Sequence, residues 1–137
     1  MASAGGIRIL VVDDRQDVVD NLVRVFTADG LGEVVGSANT GADAVRLAEE
    51  LEPDVVVMDF SMEDMDGLEA SCRIQQTLPE TRIVILSVHE PSARESTGDL
   101  SCIERWVSKS ASLDVLLNAI REAAATAEVG APHVKEA

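Results

Sequence analysis

The 137-residue chain has the length of one ordinary domain, enough to bury about two-thirds of its unfolded surface without metal or disulfide staples. A composition of 46% hydrophobic and 26% charged residues excludes an intrinsically disordered chain. With 25 acidic against 11 basic side chains the net charge is −14, which repels polyphosphate and argues against nucleic acid or an anionic membrane as a partner of this domain.

Short apolar runs alternate with helical patterns along the chain. Ile7 to Val12 is a β-branched run that stops at Asp13 and Asp14. Val18, Val19, Leu22, Val23 and Phe26 then recur at helical spacing, and Gly30 ends that helix. Glu33 to Ala38 reads as a second strand. Thr40 is placed to cap the next helix, with Asp43 as its capping-box partner; that helix carries Ala44, Leu47, Ala48 and Leu51 and stops at Pro53. Asp54 to Asp59 is a third strand, apolar on both faces. Gly67 to Leu78 reads as a helix, Arg82 to Ser87 as a fourth strand and Cys102 to Ser108 as a fifth. Ser112 caps a last helix whose inward face is Leu113, Leu116, Leu117, Ile120 and Ala124. From Pro91 to Ser101 there is no apolar stripe, and Pro, Gly and cap-favouring residues predict a short or irregular segment at most.

Strands apolar on both faces and separated by single helices predict a doubly wound α/β fold with a parallel sheet covered on both sides. Phe26, Phe60 and Trp106 are the only aromatic residues, so the core is aliphatic. Cys72 and Cys102 sit among apolar neighbours and read as reduced core thiols. No apolar run approaches the ~20 residues that span a bilayer, and no h-region follows Met1 to Gly6. A cytoplasmic protein away from membranes is the expectation.

In doubly wound sheets, functional groups gather beyond the carboxyl ends of the strands. Strand one delivers Asp13 and Asp14 there, strand three Asp59, strand four Ser87 and strand five Lys109. Three converging carboxylates repel one another, and a hard divalent cation such as Mg²⁺ resolves the conflict with oxygen ligands. Lys109 is one of two lysines in the chain, and a compact ammonium there can reach a carboxylate or a phosphoryl oxygen. A nucleophilic carboxylate, a metal, a cationic clamp and a hydroxyl are the parts for phosphoryl transfer to an aspartate.

The runs Ile9-Leu10-Val11-Val12-Asp13-Asp14, Pro53-Asp54-Val55-Val56-Val57-Met58-Asp59 and Met65-Asp66-Gly67-Leu68-Glu69, with Ser87 and Lys109, resemble the receiver domain of bacterial two-component response regulators. The resemblance implies a flavodoxin-like sheet of five strands in order 2-1-3-4-5 with five helices, the fourth of them weak here. It implies that Asp59 is phosphorylated by a sensor histidine kinase or phosphotransfer protein, and that Asp14, Asp59 and the main-chain carbonyl of Ser61 hold Mg²⁺, with Asp13 acting on it through water. Ser87 and Lys109 would bind phosphoryl oxygens and assist catalysis with Asp59, and Ser87 and Trp106 would form the switch. Partners would be the kinase, a second copy of the chain, and a downstream protein or an output domain of the helix-turn-helix type.

Four departures bear on that reading. Glu63 replaces a usual proline, Val88 stands where a small residue is common and narrows access to the phosphoryl site, and Ser110 replaces a frequent proline after Lys109. Trp106 replaces a smaller aromatic and is too bulky to bury without rearrangement. A receiver that signals by binding alone, without phosphorylation, is the competing reading. An Mg²⁺ aspartyl-phosphate phosphohydrolase is disfavoured because Asp13 and Asp14 are adjacent rather than spaced Asp-x-Asp. The expected organisation is a receiver domain over 7–125 with flexible tails at 1–6 and 126–137 and no output domain.

Overall fold

The computed structural model describes residues 6–88 and 101–136, with side chains described as far as Thr126. In chain order the elements are β1 (Ile7–Val12), α1 (Gln16–Asp29), β2 (Gly32–Ala38), α2 (Gly41–Leu51), β3 (Val55–Asp59), α3 (Gly67–Thr77), β4 (Arg82–Ser87), β5 (Arg105–Ser108) and α4 (Leu113–Glu136). All strand pairs are parallel, in the order β2-β1-β3-β4-β5.

The alternation along each inner strand explains why these strands read as continuous apolar runs. Ile9, Val11, Val55, Val57, Val84 and Leu86 face one core, under α1 and α4, with Phe26 and Ile120. Leu10, Val12, Val56, Met58, Ile83 and Ile85 face the other, under α2 and α3, with Ala44, Ala48 and Ile74. A strand with period-2 side chains and a helix on each face has no polar face to show.

Local signals set most of the boundaries. Gly30 ends α1 in the left-handed region at φ 75°, which a glycine adopts without a Cβ penalty. Thr40 accepts from the N–H of Asp43 at 3.0 Å, the expected cap of α2. The Arg8 guanidinium donates to the carbonyls of Leu51 and Glu52 at 2.8 Å each, satisfying the far end of the same helix.

Two expectations are corrected. The fifth strand starts at Arg105, not Cys102: Glu104 N–H donates to Ile83 O at 2.8 Å, and residues 101–102 form a turn before the ladder begins. Cys102 is held in that turn by a disulfide to Cys72 on α3, with Cα atoms 5.2 Å apart, so the pair is not two reduced core thiols. The last helix runs from Leu113 to Glu136 and so includes most of the stretch expected as a C-terminal tail. The segment Pro91 to Ser101, expected to hold the weak fourth helix, lies outside the described residues except for its last residue, Ser101, which sits in the turn at 101–102.

Candidate functional site

Sheet register builds the site. Val12 pairs with Met58 across β1 and β3, so Asp13 and Asp59 emerge side by side where the two strands end. Leu86 pairs with Asp59 and Ser87 with Ser108, which brings Ser87 and Lys109 to the same edge. Lys109 N–H donates to Ser87 O at 2.7 Å and Phe60 N–H to Leu86 O at 3.0 Å, carrying the ladder one step past the strands. One carboxylate oxygen each from Asp13, Asp14 and Asp59 lies within 4.8 Å of the others, a cluster that could hold a metal ion.

Asp13 is 1% exposed and Asp59 7%, whereas Asp14 is exposed. The Lys109 ammonium bridges the two buried carboxylates, 3.3 Å from Asp13 Oδ2 and 3.1 Å from Asp59 Oδ1. Asp13 Oδ1 also accepts from Arg15 N–H at 2.9 Å, and its main-chain oxygen accepts from Asn39 Nδ2 at 3.0 Å. Burial pushes the Asp59 carboxyl above the usual carboxylate range; Lys109 opposes this, while the charges of Asp13 and Asp14 add to it. Burial opposes the charge on Lys109, but its hydrogen bond to Asp59 and the nearby carboxylates outweigh that and hold it above the ordinary lysine value. One ammonium therefore does not balance three carboxylates, and the edge retains a demand for positive charge.

Residues 60–66 connect the cluster to α3. Gly67 N–H returns to Phe60 O at 2.6 Å, and Asp66 caps α3 by accepting from Glu69 N–H at 2.8 Å. A Cβ on Gly67 would lie 3.0 Å from Phe60 Cα and 3.1 Å from Asp59 O, both backbone atoms that cannot turn aside. Gly67→Ala is therefore expected to cost about 1–3 kcal/mol, read as a lower urea midpoint with unchanged slope.

Asp64 is a residue that sequence reasoning missed. Its carboxylate accepts from the N–H groups of Gly41 and Ala42 at 2.8 and 2.9 Å, pinning the loop beside Asp59 to the N-terminus of α2. Those two hydrogen bonds hold its carboxyl below the usual range. The partners are remote in sequence, so no local signal could reveal the contact. Asp64→Ala is expected to lower the melting temperature at neutral pH. The stabilising contribution exists above the ordinary carboxylate value and is lost as pH falls through the lowered one. The gap between variant and wild type should thus close in acid; a gap independent of pH would count against the assignment.

The remaining predicted residues are placed as follows. Ser87 is buried at the end of β4, and Ser61 is exposed in the loop after Asp59. Trp106 is half-buried against the core under α2 and α3, its ring packed on Phe60 with centroids 5.1 Å apart. Val88 is 66% exposed. Glu63 is also exposed, and all described peptide bonds, including that before Ser110, are trans.

A family model described as the response regulator receiver domain matches residues 9–121. The response regulator GacA of Pseudomonas aeruginosa is 33% identical over 131 residues, covering 95% of this chain and 61% of GacA. The chain thus spans about three-fifths of the length of this curated relative. Among solved structures, a LuxR-family two-component response regulator from Aurantimonas sp. SI85-9A1 is 32% identical with a TM-score of 0.80, covering 88% of this chain and 86% of that one. The response regulator domain of Thermotoga maritima CheB is 32% identical with a TM-score of 0.76, covering 86% and 96%.

Proposed function

The chain belongs to the response regulator receiver domain family, and from that premise we propose that Asp59 accepts a phosphoryl group from the phosphohistidine of a sensor kinase or phosphotransfer protein. The observation that carries this reading is the Lys109 ammonium shared between two buried carboxylates, with a third carboxylate beside them. Asp13, Asp14, Asp59 and the Ser61 carbonyl would hold Mg²⁺, which when bound supplies the charge that Lys109 alone does not. Asp59 attacks phosphorus as the carboxylate; the P–N bond to histidine breaks as the O–P bond forms. Lys109 keeps Asp59 ionised despite its burial, and Lys109 and the Ser87 hydroxyl then bind oxygens of the transferred group. The chain acts on itself rather than on an external substrate, so it is a switch and not an enzyme in the ordinary sense.

Partners follow from the surface. A groove of about 270 Å³ between α1 and α4, lined by Val18, Leu22, Ala111, Leu113 and Leu116 with Lys109 on its wall, suits docking of the phosphodonor. Val115, half exposed on α4 and outside that groove, gives a second apolar contact point for a further copy of the chain or an output domain. Regulation of transcription is proposed through an output domain of the LuxR kind, in the cytoplasm. No described helix is long and apolar enough to cross a membrane.

The test is intact mass after incubation with acetyl phosphate and Mg²⁺. One phosphoryl adduct, released by alkali or hydroxylamine, is expected; an unmodified protein would overturn the reading in favour of a receiver that signals by binding alone.

A further inference from the structure

We propose that Cys72 and Cys102 form a thiol–disulfide exchange site whose oxidation state sets the freedom of the two elements flanking Asp59. The consequence for signalling rests on the phosphoacceptor reading; the exchange site itself does not.

The two cysteines are the only ones in the chain, and their Cα atoms lie 5.2 Å apart, well inside the range a disulfide spans. Both residues are half-buried rather than sealed in the core, so a small disulfide can reach them. In a cytoplasmic protein such a bond is more often a redox sensor than a structural staple.

The position of the bond gives it leverage. Cys72 lies on α3, which is hinged at Gly67 on Phe60 and so on the end of β3. Cys102 lies just before Ile103 and Trp106, which pack into the α3-side core, with the Trp106 ring on Phe60. The same strand runs on to Lys109, whose ammonium is 3.1 Å from Asp59. The disulfide therefore closes a ring: from Asp59 through Phe60 and α3 to Cys72, across to Cys102, along β5 to Lys109 and back to Asp59. Opening it frees the approach to β5 from α3 without touching a residue of the acidic cluster.

The exchange balances with a low-molecular-weight disulfide as oxidant. The thiolate of one cysteine attacks a sulfur of RSSR, whose S–S bond breaks to release RS⁻ and leave a mixed disulfide. The second thiolate attacks the protein sulfur of that mixed disulfide, forming the Cys72–Cys102 bond and releasing a second RS⁻. The two protons lost by the cysteines end on the two RSH molecules.

The full chain, equilibrated with glutathione or with glutathione disulfide, tests the proposal. Alkylation read by intact mass should label two thiols after glutathione and none after its disulfide. Reduction opens a link between residues separated by 30 in sequence, so the melting temperature should fall by about 10 °C. Amide exchange in residues 67–72 and 103–109 should be roughly threefold or more faster in the reduced form. Cys72→Ser should behave as reduced under both conditions, apart from a glutathione adduct at Cys102. Acetyl phosphate should label the two forms at rates differing at least about twofold. Two alkylated thiols after excess glutathione disulfide would overturn the exchange site, and equal amide exchange or equal labelling rates would overturn the coupling. Absence of labelling in both forms would instead refute the phosphoacceptor reading, with alkylation and amide exchange still deciding the redox site.

Discussion

Asp59→Asn is expected to take up no phosphoryl group from acetyl phosphate and Mg²⁺, a loss limited only by the sensitivity of the mass measurement. The nucleophile is a carboxylate oxygen, and an amide in the same place is neither anionic nor able to form a stable acyl phosphate. Asp13 lies beside it, but Asp13 Oδ1 is already committed to Arg15 N–H and the side chain is 1% exposed, so it is a poor substitute. An undiminished adduct in the variant would move the acceptor elsewhere.

The same substitution should raise stability at neutral pH in the absence of metal. Asp59 has its carboxyl raised above the ordinary range, so the folded state binds that proton more tightly than the unfolded chain. Metal-free stability is then greatest below the ordinary carboxylate value and falls as pH rises through the raised one. Asp59→Asn removes that loss. The ion pair with Lys109 is already part of that balance: its hydrogen bond lowers the Asp59 carboxyl and still leaves it above the ordinary range.

Millimolar Mg²⁺ should raise the melting temperature of the wild type, and Asp14→Ala should abolish the rise. A ligand that binds only the folded state stabilises by RT ln(1 + [L]/Kd), about 1.4 kcal/mol at tenfold over Kd, which is roughly 5 °C for a domain of this size. Asp14 is the exposed member of the cluster and has no side-chain hydrogen bond among the described residues, so the variant should fold normally and report on the metal alone. Protons compete with the cation at Asp59. The Mg²⁺ effect should therefore shrink as pH falls through the raised Asp59 value, and a shift that is constant with pH would place the ion elsewhere.

Period and punctuation make the architecture legible in the sequence. Runs such as Val55 to Met58 must be buried on both faces because no polar residue offers an outer side, and a sheet buried on both faces with one helix per crossover has few solutions. Asp13, Asp14, Asp59, Ser87 and Lys109 are readable as one edge because each ends a strand or follows within two residues of its end, and parallel strands put all such ends together. Cys102 to Glu104 misled because apolar and β-branched character cannot say where a ladder begins; that depends on which carbonyl of β4 is met first, and it is Ile83, by Glu104.

What the chain determined alone was which residues lie at which end of which strand, since period, caps and breakers act over a few residues. Only the tertiary structure decided the contacts between segments far apart in sequence. The Val12–Met58 register sets Asp13 against Asp59, Asp64 reaches α2, Phe60 meets Trp106, and Cys72 is close enough to Cys102 to bond. Each of these depends on how strands slide and helices seat against a shared core, a free energy spread over the whole molecule rather than held by the residues that meet.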